Sequence, residues 1–184
     1  MSQLPDALRR ALLEPQLRAQ FETSLSARVD RTLEIEPARI LPVAPFAHVT
    51  FECHALYVAG HFFACICVCQ VVAEGITKHI YERLALPFQR DHLTRVRHLA
   101  RSHGLPRDIR RAFVRIHRHR NDYHHLNAQV PLQHSHLAEE SRVVYSAFIA
   151  VLGGLFAYSI IDGAISPTHP QYWPSSVALG PPAP

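Results

Sequence analysis

Apolar residues recur along this chain at helical spacing. Leu8, Leu12 and Leu13 begin a stripe that Leu17 and Phe21 continue, so residues 4–35 read as helix, interrupted where Pro15 removes a backbone donor. Pro37, Pro42 and Pro45 make residues 36–47 a linker or an extended crossing segment. From His48 to about Leu84 the apolar positions are too dense for one stripe, which predicts a single long central helix, the most buried of all. Glu74, Lys78 and Glu82 give it a solvated face near its end, and Leu86-Pro87 closes it. A third helix is expected over 90–102, stopping at Gly104. The fourth opens at Pro106 with Asp108 in its first turn and runs to about Leu126. Its core stripe is Ile109, Phe113 and Ile116, with Tyr123 one heptad further on. After a loop over 127–135 containing Pro131, a last helix starts near Ser135, a suitable N-cap, and ends near Gly163. Six prolines exclude regular helix from the tail, where Tyr172 and Trp173 are expected to pin the first half onto the bundle. No alternation is long enough for a sheet, and there is no internal repeat or Gly-rich phosphate loop. The pattern predicts an all-α fold: a bundle of four to five helices over 48–163, an N-terminal helical extension and linker over 1–47, and a Pro-rich C-terminal tail over 164–184.

A chain of 184 residues, 48% of them hydrophobic, can bury one core and is not disordered throughout. Two runs lack any charge, Ala55–Ala73 and Val143–Ile161, and each approaches the length of a membrane span. His61 and Gln70 in the first and Ser146, Gly153, Gly154, Tyr158 and Ser159 in the second favour central bundle helices; a membrane hairpin is the alternative. Residues 1–20 are charged and amphipathic, without the apolar core of a signal peptide, so the expected location is cytoplasmic. Cys53, Cys65, Cys67 and Cys69 form no C-x-x-C pair. They read as buried free thiols of a reducing compartment, with a metal site or redox chemistry as the less favoured readings.

The charge is unevenly placed. Net charge is +4, Lys78 is the only lysine, and ten of the 19 Lys and Arg residues are arginines between Arg90 and Arg120. Half of the 14 histidines fall between His92 and His125. Such a span is either the solvated face of two surface helices or a phosphate-attracting groove in which Arg111, Arg115 and Arg118 would bind RNA.

Its end is the most specific segment: Arg120-Asn121-Asp122-Tyr123-His124-His125. On a continuous helix Arg120 and His124 lie about 40° apart, as do Asn121 and His125, and Arg118 is a heptad from His125. A guanidinium beside a neutral imidazole suits RNA cleavage by the RNA's own 2′-hydroxyl. His takes the 2′-proton, Arg stabilises the charge on the phosphorane, and an amide orients. Neighbouring arginines would lower the histidine pKa and favour the unprotonated base. No carboxylate cluster for a divalent ion accompanies the motif, and the histidines lack a third and fourth partner for zinc or nickel, so no metal and no cofactor is expected. Structural readings stand beside these. Arg120, His124 and His125 could cap a helix C-terminus, Asn121 could bond a loop carbonyl, and Tyr123 reads as core. Glu74 reads as a solvated residue or as an internal partner for an arginine of the motif helix, the former slightly preferred.

The segment resembles the signature of the HEPN superfamily of α-helical domains, an Arg and a polar residue with a His four to six positions beyond the Arg. Arg120, Asn121 and His125 match its common Arg-Asn-x-x-x-His form. The preceding Tyr57-x-x-Gly60-His61-x-x-Ala64 and Glu74 are also similar to that family's helix pattern, and the likeness covers roughly 48–163. The surroundings Tyr123-His124-His125-Leu126 depart from the small residue and Gly that often flank the motif His, which leaves open whether His124 or His125 is the base. The resemblance implies a homodimer with two motifs facing one cleft. It implies a metal-independent endoribonuclease or an RNA-binding protein, often a toxin or defence component with an antitoxin or other protein partner. It equally allows a non-catalytic scaffold.

Overall fold

The computed structural model describes residues 5–37 and 40–173. Seven α-helices follow one another: α1 Asp6–Glu34, α2 Ala47–Ala59, α3 Phe62–Arg83, α4 His92–Ser102, α5 Arg107–His117, α6 Arg120–His124 and α7 His134–Leu155. A hairpin of β1 Tyr158–Ile161 and β2 Ala164–Pro167 and a single 3-10 turn, Pro170–Tyr172, complete the chain. The structure is mostly helical, as the apolar spacing predicts.

The expected long helix over 48–84 is two helices. Gly60 adopts the left-handed conformation (φ 83°) and ends α2: the Gly60 N–H reaches the Tyr57 carbonyl and the His61 N–H reaches Leu56. That pair of bonds is the Schellman arrangement, which stops a helix without proline. Ala85 (φ 48°) ends α3 the same way, with Ala85 bonded to Glu82 and Leu86 to Tyr81. Conversely, Pro15 does not interrupt the N-terminal helix, and α1 runs through it.

α3, α5 and α7 form the centre. α3 buries Cys65, Ile66, Cys69, Ile76 and Ile80 on faces turned to α2, α5 and α7. α7 contributes Val144, Tyr145, Phe148, Val151 and Leu155. Among the cysteines, Cys53, Cys65 and Cys69 are fully buried and Cys67 partly so; all four are free. Gly154 lies where α7 crosses α5, and a Cβ there would run into the side chain of Ile109, itself only 3% exposed. Gly154→Ala is therefore expected to cost about 1–3 kcal/mol of unfolding free energy, read by urea titration, because a tight crossing must open. An unchanged midpoint would show that Ile109 can swing aside.

α7 ends at Leu155, eight residues before the expected end. Asp162 (φ 51°) and Gly163 (φ 77°) then form the tight turn of an antiparallel hairpin in which Tyr158 faces Pro167 and Ile161 faces Ala164. Both central φ values are positive, as a two-residue hairpin turn requires. The short 3-10 turn carries the chain back. Tyr172 and Trp173 are buried, the Tyr172 hydroxyl donating to the His103 carbonyl at 3.2 Å and the Trp173 ring meeting Phe156 and Tyr158. The tail beyond Trp173 lies outside the described residues.

Of the two uncharged runs, Val143–Ile161 is not one helix, since it leaves α7 for β1. Among the described residues one helix, Phe62–Arg83, is long and apolar enough to cross a membrane, and half of its most apolar window is buried inside the bundle.

Candidate active site

The basic helix expected over 106–126 breaks at Arg118-His119. His119 takes the left-handed conformation (φ 59°), and α6 restarts at Arg120. The cause is tertiary. Gln70, 2% exposed on α3, donates its side-chain amide to the Ile116 carbonyl at 3.0 Å, taking the acceptor that the next helical turn would have used. His119 and Asp122 pair across the break at 3.0 Å, and Asn127 holds the other Asp122 oxygen at 2.8 Å. Leu126 (φ 48°) closes α6, with the Asn127 N–H on the Asp122 carbonyl.

The break turns α6 against α3 and brings Arg120 onto Glu74, Nε to Oε1 at 2.9 Å, with both side chains about a quarter to a third exposed. Glu74 is thus an internal partner of the motif arginine rather than a solvated helix residue. A second guanidinium nitrogen, Nη1, donates to Asn121 Oδ1 at 3.2 Å. These contacts fix the plane of the fork. Among the described residues Arg120 Nη2 makes no hydrogen bond. Glu74→Gln is expected to cost about 1 kcal/mol or less, because the pair is partly solvated, and to free the guanidinium. The second effect is checked by faster exchange of the Arg120 Nε–H proton with water.

His124, one turn after Arg120, is partly buried, and its Nε2 is shielded from solvent with no partner among the described residues. Burial first, and then the Arg120 charge, hold its pKa below the ordinary imidazole value. His125 is the C-cap of α6 and lies exposed. The short helix therefore places Arg120 and His124 in one cluster and leaves His125 outside it. Arg111, Arg115 and Arg118 are exposed along α5 and its end. Tyr123 is core, 3% exposed.

Three groups join from elements that the motif does not include. His117, the last residue of α5, is half-buried; burial lowers its pKa, and Glu74, Arg120 and His124 are among the charges that act on it. His92 on α4 stands 5.0 Å from the His117 ring, centre to centre, and is 4% exposed. Arg95, 2% exposed, donates Nε to the Thr77 hydroxyl at 3.1 Å and Nη1 to the Gln89 and Arg90 carbonyls at 2.6 and 2.9 Å. The Thr77 hydroxyl itself donates to the Glu74 carbonyl at 2.9 Å, so His92 at 3.2 Å must donate to it through Nδ1–H. That leaves His92 Nε2 a lone pair, buried and without a partner among the described residues. A weak sequence signal for these residues exists. His92, Arg95, Val96 and Leu99 stand at i, i+3, i+4 and i+7, so two polar residues occupy the core stripe of α4.

The cluster presents one forked cation with a free nitrogen, a deprotonated imidazole beside it, and a second imidazole behind. Such a set has the chemistry to bind an oxyanion and to move one proton. Among the described residues no group of three or more His, Cys, Asp or Glu is placed to hold a metal ion. No protein-family model, no curated protein and no solved structure matches this chain.

Proposed function

We propose that the chain is an HEPN-like RNA-binding protein that cleaves RNA at the Arg120–His124 cluster by attack of the 2′-hydroxyl. The observation that carries this reading is the pairing of a guanidinium held in place by Glu74 with an imidazole whose pKa is depressed. The flanking surface supports it, because Arg111, Arg115 and Arg118 offer unburied positive charge to a phosphate backbone.

In the proposed reaction neutral His124 takes the proton of the 2′-hydroxyl as the 2′-oxygen bonds to phosphorus. The free Arg120 Nη2 donates to a non-bridging oxygen and stabilises the added negative charge. The bond from phosphorus to the 5′-oxygen then breaks, and His124, now an imidazolium beside a guanidinium and therefore a strong acid, returns the proton to the departing 5′-oxygen. The products are a 2′,3′-cyclic phosphate and a 5′-hydroxyl. No water is consumed.

The test is incubation of purified protein with total RNA in EDTA. Cleavage that leaves 2′,3′-cyclic ends supports the proposal, and intact RNA with folded protein removes the catalytic part of it. One observation favours a second reading, a non-catalytic scaffold: two of the three Arg120 nitrogens are already committed to Glu74 and Asn121. In that case Arg120 ties α6 to α3, and its loss lowers stability without touching RNA.

A further inference from the structure

The longest helix of the molecule buries nothing. α1 spans 29 residues, roughly 43 Å, with no buried side chain, and every residue from Pro5 to Thr23 is exposed. Only its last turns are anchored. Arg31 donates to the Val58 carbonyl at 2.7 and 3.0 Å, and the Tyr57 hydroxyl donates to Glu34 at 2.7 Å. The free part is nonetheless amphipathic. Leu13, Leu17, Phe21 and Leu25 form a ridge at four-residue spacing, each 44–62% exposed. Arg10, Glu14, Arg18 and Glu22 form a second ridge at the same spacing, and both ridges line one open groove along the helix.

With Asp6 one turn before Arg10 the charged ridge reads minus, plus, minus, plus, minus, and Glu14 and Arg18 meet within the helix at 3.5 Å; the four positions Arg10 to Glu22 are complementary to themselves when reversed. Set two copies antiparallel about a two-fold axis beside Gln16, so that residue i meets residue 32 − i. Glu14 then faces Arg18 of the second copy and Arg10 faces its Glu22, with both pairs repeated by symmetry. A parallel pairing sets Arg10 against Arg10 and Glu14 against Glu14. Exposed ion pairs of this kind contribute little affinity but select orientation. The affinity comes from the apolar ridges. Two such helices in contact over about twenty residues cover roughly 1,200 Å² in total, at the lower end of what specific interfaces use.

We propose that α1 is a dimerisation arm that pairs antiparallel with α1 of a second copy of this chain. The inference stands apart from the ribonuclease reading. The bundles leave the arms near Arg31, about fifteen residues from the axis, so they sit roughly 45 Å apart and each candidate site works alone. That differs from the facing motifs that the resemblance implies.

Sedimentation equilibrium of the full chain at micromolar concentration, without detergent, tests it. The wild type is expected at about twice the 20.8 kDa of one chain, and Leu17→Asp with Phe21→Asp at the single-chain mass. Two charge variants give the sharper answer. Arg10→Glu with Arg18→Glu makes these four positions wholly acidic, and Glu14→Arg with Glu22→Arg makes them wholly basic. Each alone should lose at least tenfold in self-association, and an equimolar mixture should restore the dimer. All these positions are exposed, and circular dichroism checks that the bundle is intact. A monomeric wild type overturns the proposal, as does a dimer indifferent to the Leu17 and Phe21 changes or a mixture that restores nothing. Flotation of a monomeric wild type with phosphatidylserine vesicles would overturn it in favour of a lipid surface.

Discussion

Arg120→Ala and His124→Ala are each expected to reduce RNA cleavage by about 10²–10³-fold or more, while His125→Ala stays within a few-fold of the wild type. The first magnitude is that of removing one preorganised donor from a developing phosphorane, and the second is that of removing a positioned base. Arg120→Lys should not rescue, because an ammonium cannot hold Glu74 and Asn121 and still present a third nitrogen to phosphate. The pH dependence follows from burial and from the Arg120 charge, which both keep the His124 pKa below 6.5. The base is then unprotonated at neutral pH, and the acid limb of kcat/KM falls below pH 6.5. Removing the Arg120 charge takes away the larger of the two neighbouring charges that depress it, His125 being the other, so the residual activity of Arg120→Ala should have its acid limb at higher pH. A limb that does not move would mean that the two side chains are not coupled. Loss of activity in His125→Ala with His124→Ala intact would move the base to the exposed residue and require α6 to rearrange on binding RNA.

The choice between the two histidines shows how far the sequence could be read. Residue types and spacing point to Arg120 through His125, because a guanidinium, an amide and imidazoles within one turn are a chemically pointed set. Spacing on an unbroken helix could not say which imidazole shares the arginine's surroundings, because the helix is broken. Its break rests on Gln70, 46 residues before the Ile116 carbonyl that it holds, and no local residue announces it: Arg118-His119 contains neither Gly nor Pro. Glu74 was legible as a candidate partner but not as a chosen one, since solvated and paired glutamates have the same periodicity.

Other differences were local and could have been read. Ile161-Asp162-Gly163-Ala164 is a hairpin turn in plain form, an Asp-Gly pair between apolar residues. Continuing the apolar run of α7 through it took hydrophobic density for helix length. Gly60 in Ala59-Gly60-His61 is likewise a helix-stop signal, overridden in reading by the dense apolar residues on both sides. Pro15 is the reverse case. A proline costs a helix one hydrogen bond, and the flanking turns of α1 are made of good helix formers, Leu, Ala, Arg, Glu and Gln, which carry the helix through it.

The buried polar layer beneath the site gives the protein a second expected property, loss of stability in acid. His92 is folded into the neutral state: burial, then His117 and Arg95, push its pKa down to about 3, against the weaker upward pull of Asp91. In the unfolded chain the same ring titrates near 6.5. Below pH 6.5 the unfolded state therefore binds a proton that the folded state refuses until about pH 3. Stability is full above 6.5 and falls as the pH drops, by up to about 1.4 kcal/mol per unit from this residue. The total is on the order of 5 kcal/mol, comparable with the whole stability of a modest domain. His54, His79, His117 and His124 are depressed in the same direction, so they steepen the fall. Urea titrations from pH 7.5 to 4.5 should show the wild type losing unfolding free energy throughout the lower half of that range. His92→Gln keeps a donor for Thr77 but has nothing to protonate. It should be about 1–3 kcal/mol less stable at pH 7.5, through imperfect packing against Phe113 and His117, yet lose less on acidification. A His92→Gln slope equal to that of the wild type would show that the buried imidazole takes up its proton within the fold. The layer around Thr77, Arg95 and His117 would then have to admit water or a counter-ion at mildly acid pH.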